Sequence, residues 1–128
     1  LSRKFIEAKE KNLKEIEIWG DGNQLRSFMY IDDCITGINL LFESNYREPI
    51  NIGASDFVSI NELVDLLEKI SEMKVKRKYM LGAPKGVDAR SSDNTQIKNI
   101  LKWEPNFELH EGLKNTFEWI YKEYKKTN

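Results

Sequence analysis

The apolar residues of this 128-residue chain change period repeatedly, and that switching constrains the fold more than any single motif does. Ile16 and Ile18 alternate with Glu15 and Glu17, which puts both isoleucines on one face of a short strand. Leu63, Leu66, Leu67 and Ile70 recur at helical spacing, and Ser59 with Glu62 ahead of them has the form of a capping box. From His110 to about Lys125, residues Leu113, Phe117, Ile120, Tyr121 and Tyr124 share a face, and the segment is expected to fray into Lys125-Lys126-Thr127-Asn128. Leu1, Phe5 and Ala8 predict the end of a helix. Helical and extended segments that alternate in this way specify an α/β fold.

The remaining segments follow the same logic. Asp32-Asp33 is good N-cap chemistry for a helix over 33–44, on which Ile35, Ile38, Leu41 and Phe42 share a face. Pro49 blocks continuation before a short strand at Ile50-Asn51-Ile52. Val75, Arg77 and Tyr79 alternate with lysines as a half-exposed strand, ended by the loop composition of Gly82-Ala83-Pro84-Lys85-Gly86. Asp93 or Asn94 caps a helix carrying Ile97, Ile100 and Leu101, which Trp103-Glu104-Pro105 stops. Residues 1–128 read as one domain, without repeats or low-complexity tracts.

Charge and cysteine content exclude several classes. Twenty basic residues are interspersed with 21 acidic ones, which argues against a nucleic-acid surface. The single Cys34 rules out an internal disulfide and reads as a small buried residue, and with one histidine no metal site is expected. There is no run of about 18 apolar residues, and Leu1-Ser2-Arg3-Lys4-Phe5 lacks a signal peptide's apolar core. Membrane insertion is therefore not expected, and a cytoplasmic setting fits the composition. A start without Met, directly in a helix, points to a piece of a longer polypeptide.

Ligand chemistry concentrates between Trp19 and Phe28. Gly20 and Gly22 let backbone approach a ligand, Gln24 offers a donor and an acceptor, and Arg26 offers a planar fork that matches phosphate oxygens. A dinucleotide fingerprint does not fit, because Leu25 holds the third glycine position and no helix opens directly after the turn. The turn is expected to join two strands. In Gly86–Asn94, Arg90 could hold a second phosphate and Asp93 a sugar hydroxyl. Taken singly, a solvated or salt-bridged surface arginine is the commoner fate of Arg26 or Arg90, and for Asp93 a helix cap is the commoner role still.

Taken in order, Gly20-Asp21-Gly22, Gln24-x-Arg26-x-Phe28, Ile31-Asp32-Asp33, Asn51-Ile52-Gly53, Arg90-x-x-Asp93, Leu101-x-Trp103-x-Pro105 and Glu111-Gly112-Leu113 carry a resemblance. The chain resembles the C-terminal part of the extended short-chain dehydrogenase/reductases that act on nucleotide sugars, the NAD-dependent epimerases and dehydratases. Arg47-Glu48-Pro49 and Ser91-Ser92-Asp93-Asn94 are most similar to an epimerase of that family. The resemblance implies a small mixed sheet with several helices, forming a substrate-binding region without the N-terminal dinucleotide domain. It implies that Gln24 and Arg26 contact the nucleotide diphosphate, that Arg90 binds phosphate, that Asp93 meets the ribose and that Lys4 matches a substrate-contacting lysine, although the segment from Glu10 to Glu15 is longer than the family pattern.

Several further implications come with it. The parent enzyme is expected to be an isomerase that uses NAD bound by the absent domain and to form a homodimer; its partner is a nucleotide sugar. Catalytic and cofactor residues are not expected within this chain, which alone should not turn over substrate. Tyr121 and Lys125 have the spacing of the family's catalytic pair, but Tyr121 continues an apolar stripe, so that match reads as accidental. His110 reads as a surface or capping residue, and Trp103 with Pro105 as a packed helix stop. The alternatives are a fragment of a different UDP- or dTDP-sugar epimerase, dehydratase or decarboxylase, or a non-catalytic interaction domain that kept the fold.

Overall fold

In the computed structural model, residues 1–127 are described and form five helices and five strands in two sheets. One half of the molecule is densely packed. Strand β1 (Glu15–Trp19) pairs in parallel with β4 (Lys76–Met80), Ile16 lying opposite Arg77 and Ile18 opposite Tyr79. The expected alternation of β1 holds, with Ile16 and Ile18 buried and Glu15 and Glu17 exposed. Helices α1 (Ser2–Glu10), α3 (Ile60–Ser71) and α5 (Leu109–Thr127) close over them. Phe5, Ile6, Ala8, Val64, Leu67 and Phe117 join the two isoleucines in one core. Each large side chain there contributes roughly 1.5–3 kcal/mol by leaving water.

Local chemistry fixes the ends of these helices. Glu62 N donates to Ser59 Oγ at 3.1 Å, and Ser59 N donates to Glu62 Oε2 at 2.7 Å, which completes the capping box of α3. Helix α5 does not fray at Lys125 but continues to Thr127, because Lys125 pairs with Glu10 of α1 and Lys126 lies 2.6 Å from Glu123. Asn128 lies outside the described residues.

The other half is thinner. Strands β2 (Leu25–Arg26), β3 (Val58–Ser59) and β5 (Ala89–Arg90) are ordered β3-β2-β5, antiparallel on one side of β2 and parallel on the other. The glycine turn therefore joins strands of two different sheets, not neighbours in one. Helix α2 (Ile31–Glu43) forms as expected, yet its apolar stripe faces solvent: Ile35 and Ile38 are about half exposed and Phe42 is 88% exposed. Its buried residues are Asp33 and Gly37. A Cβ on Gly37 would lie 2.8 Å from the Trp103 ring, so this face admits only glycine there.

Three further expectations change. Tyr30, not Asp32 or Asp33, is the N-cap of α2, and it makes no side-chain cap bond. Buried Asp33 instead accepts from the backbone N–H groups of Asn106 and Phe107 at 3.0 and 2.9 Å, tying α2 to the loop before α5. Ile50-Asn51-Ile52 forms no strand: 51–54 is bound by Asn94 and Ser92, and one backbone bond, Ser92 N to Ala54 O, makes no ladder. Cys34 is partly exposed. Helix α4 (Thr95–Leu101) matches its expected span and ends at Lys102 in the left-handed region, next to Trp103.

Candidate functional site

The Gly20–Gly22 turn is built from the inside. Both glycines have positive φ, +74° and +77°, a region that costs other residues energy, and a Cβ on Gly22 would run into the Asn61 side chain. Asn61 at the start of α3 holds the turn through its backbone N–H to Gly22 O at 2.9 Å and its amide to Asp21 O at 3.3 Å. Gln24 is only 7% exposed and donates its Nε2 back to Trp19 O at 2.9 Å, spanning the turn. Gln24 Oε1 is buried and has no hydrogen-bond partner among the described residues. The chain then runs into β2, and the next helix, α2, begins only at Ile31. The glycine turn thus opens into a strand and not into a helix, which departs from the strand-turn-helix of a dinucleotide fingerprint; the helix end that meets it, α3, comes from later in the chain and is bonded to the turn itself through Asn61.

Beyond the turn lies an open cleft of about 330 Å³. Arg26 and Ser27 form one side, Arg90, Ser91 and Ser92 another, and Asn51 with Ile52 a third. Arg26 and Arg90 are register partners on the parallel strands β2 and β5, and Ser27 N donates to Arg90 O at 3.2 Å. Like charges at adjacent positions repel, and among the described residues neither guanidinium has a carboxylate partner. Arg26 is tethered to main-chain carbonyls, Nη1 to Leu25 O at 2.6 Å and Nη2 to Lys85 O at 3.3 Å. Asn94 Nδ2 to Gly53 O at 2.6 Å and Ser92 N to Ala54 O at 3.2 Å hold the third wall in place. The result is a polar notch with two uncompensated guanidinium groups, serine hydroxyls and an amide, which is chemistry suited to a multiply charged anion.

The structure thus brings Arg26 and Arg90 together. Gln24 lies inside the turn and outside the cleft lining. Asp93 also lies outside it: its Oδ1 accepts from Thr95 N at 2.9 Å, a bond that lowers its pKa, and its carbonyl accepts from Asn51 Nδ2 at 3.4 Å. Lys4 sits in the other half, where its ammonium donates to Glu17 O at 2.8 Å. Ser27, Asn51 and Ser92 enter the lining although none of them reads as a ligand contact in the sequence. Their signals are faint: Ser27 follows Arg26, Ser92 lies two residues past Arg90, and Asn51 precedes Ile52-Gly53.

Other candidates resolve differently. Tyr121 Oη donates to Glu10 Oε1 at 2.8 Å and Lys125 binds Glu10 Oε2, so that pair fastens α5 to α1 and lowers the Glu10 pKa, Lys125 contributing most. His110 is exposed near the start of α5. Among the described residues no group of histidine, cysteine or carboxylate side chains is placed to hold a metal, and no helix is long and apolar enough to cross a membrane.

Comparison with known proteins identifies the architecture. The family model described as GDP-mannose 4,6 dehydratase matches residues 1–116. GDP-mannose 3,5-epimerase of Arabidopsis thaliana is 41% identical over 122 residues, covering 95% of this chain and 32% of that protein. UDP-glucuronate 4-epimerase of Thermodesulfobacterium geofontis (strain OPF15) is 37% identical over 107 residues, 83% of this chain and 33% of that protein. Among solved structures, UDP-glucose 4-epimerase of Thermotoga maritima with UDP-glucose superposes with a TM-score of 0.84 at 32% identity, covering 96% of this chain and 40% of the other. UDP-glucuronic acid 4-epimerase of Bacillus cereus, in complex with UDP-glucuronic acid and NAD, gives 0.84 at 30% identity with the same coverage. The chain spans about a third of the length of the curated relatives it matches.

Proposed function

The chain belongs to the GDP-mannose 4,6 dehydratase family, and on that premise we propose that it is the substrate-gripping, C-terminal part of an NAD-dependent nucleotide-sugar epimerase of the GDP-mannose 3,5-epimerase kind. The observation that carries this reading is the Arg26–Arg90 pair, adjacent in register, lining one cleft and lacking any carboxylate among the described residues. A diphosphate placed between them receives charge-assisted bonds from both guanidinium groups and removes their mutual repulsion. Ser27, Ser91, Ser92 and Asn51 supply neutral donors around the same volume. Asp93, three residues past Arg90, is assigned to the ribose on the family resemblance alone, since it lies outside the cleft lining and its Oδ1 accepts from Thr95 N.

In this reading the chain binds and orients, and the sugar projects toward a dinucleotide domain outside these residues. NAD is held there, since the glycine turn of this chain runs into β2 and does not open a helix as a dinucleotide fingerprint does. Bound NAD supplies hydride acceptance and return at the sugar. The isolated chain is therefore inactive, and the parent enzyme is a homodimer. Support for a nucleotide sugar comes from the Thermotoga maritima and Bacillus cereus enzymes, whose structures contain UDP-glucose and UDP-glucuronic acid. The GDP-mannose assignment leans on the 41% identity to the plant epimerase.

Calorimetric titration of the full-length protein with GDP, UDP and dTDP tests both levels. GDP is expected to bind tightest, and equal affinity for all three would remove the guanosine assignment. Arg26→Ala and Arg90→Ala are each expected to weaken GDP binding by about 1.5–3 kcal/mol, the usual worth of a hydrogen bond to a charged group. Unchanged binding in both variants would refute the phosphate role.

A further inference from the structure

The geometry points to Lys85 as the positioning residue of the phosphate cleft, acting through Arg26; this rests on the phosphate reading above. Lys85 lies in the loop between β4 and β5 and touches three parts of the site at once. Its carbonyl accepts Arg26 Nη2 at 3.3 Å. Its stem lies against the first turn glycine, so closely that a Cβ on Gly20 would be 3.2 Å from Lys85 Cγ. Its ammonium bridges Asp88 at 3.1 Å and Asp21 at 3.8 Å, one carboxylate in its own loop and one in the glycine turn. These partners raise the lysine pKa, Asp88 most, so the bridge stays charged across the neutral range.

The physical consequence is a clasp. Asp21 is fixed within the glycine turn by the bond from Asn23 N at 3.1 Å, and Asp88 O accepts from Leu25 N at 2.8 Å, so one carboxylate sits on the turn and the other on backbone tied to β2. Lys85 joins those two anchors and thereby sets where its own carbonyl meets the guanidinium. Gly86 follows at φ +74°, and a Cβ there would come within 3.4 Å of Arg26 Nη2, so the loop lies flush against the arginine. With one amino group held by Leu25 O and the other by Lys85 O, the remaining N–H groups of Arg26 are aimed rather than free. The Lys85 ammonium, neutralised by two carboxylates and absent from the cleft lining, is not itself a phosphate contact.

The test is a mutant cycle on the full-length protein, titrated with inorganic pyrophosphate in a calorimeter. Lys85→Met keeps the stem and loses both ion pairs; it is expected to weaken pyrophosphate binding about two- to fivefold, the range of partly exposed ion pairs. Lys85→Arg restores affinity. In an Arg26→Ala background, Lys85→Met has no further effect, because the residue through which it acts is gone. Wild-type affinity in Lys85→Met, with Arg26→Ala weakened, overturns the clasp alone. The same loss from Lys85→Met with and without Arg26 makes the ammonium a direct contact and also overturns the clasp. Wild-type affinity in Arg26→Ala overturns the phosphate reading and the clasp with it.

Discussion

The half of the molecule around β1 and β4 and the half around β2, β3 and β5 solve opposite problems. In the first, three helices bury Phe5, Ile6, Ile18, Val64 and Leu67 almost completely against a two-stranded parallel sheet. In the second, every strand is two residues long, two arginines stand side by side, and α2 turns Ile31, Ile35, Ile38 and Phe42 outward. Repulsive charge and exposed apolar surface both cost stability, so they can persist in one half because the other supplies the folding free energy. The proposed phosphate cleft thus sits on a weak sheet anchored to a strong one.

The sharpest way to break that contrast is to attack the strong half. Phe5→Ala opens a cavity at a fully buried site and is expected to cost about 3–5 kcal/mol in denaturant unfolding. A loss below about 1 kcal/mol would mean that the core is not where stability resides. Glu68 gives a smaller and pH-dependent effect. Burial raises its pKa, but Lys74, the Val75 N–H and Arg77 outweigh burial, and the net shift is downward. A carboxylate with a lowered folded-state pKa contributes stability that is complete above its unfolded pKa and is lost as pH falls through the folded value. Glu68→Gln is accordingly expected to cost about 1.5–3 kcal/mol at neutral pH and to flatten the acid side of the stability curve. An acid limb identical to wild type would remove Glu68 from that account.

Between the halves, Asp33 carries a third prediction. Its Oδ2 is the acceptor for Asn106 and Phe107 N–H, so Asp33→Ala leaves those donors unpaired. The expected cost is about 1–3 kcal/mol. Hydrogen exchange should quicken first at those two amides, and uniform acceleration through the β1–β4 core would contradict a local tie.

How much of this was legible in the sequence follows the same division. The alternation in Glu15–Trp19, the capping box at Ser59–Glu62 and the stripe of α5 were readable because each feature is satisfied within a few residues or against the core of the same chain. The pairing of Arg26 with Arg90 rests on a parallel register between residues 64 positions apart, and local spacing carries no trace of that. Gln24 was legible as polar but not as folded back on Trp19, because an amide's direction depends on which neighbour lacks a donor. Ile50-Asn51-Ile52 alternated like a strand, yet a strand also needs an edge to pair with, and Ser92 and Asn94 occupy that side with isolated bonds.

Helix α2 is the hardest lesson and gives the smallest expected effect. Residues 31, 35, 38 and 42 follow a spacing that ordinarily marks a core-facing stripe, while the buried positions are an aspartate and a glycine. Periodicity identifies which face is apolar but not whether anything covers it. Since Phe42 is 88% exposed, Phe42→Ser removes almost no buried area and is expected to change unfolding free energy by no more than about 0.5 kcal/mol. The same substitution should reduce dye binding to exposed apolar surface, because it shortens the stripe at its most exposed residue. A loss of several kcal/mol would place Phe42 inside a core, and the division into a packed and an open half would fall with it.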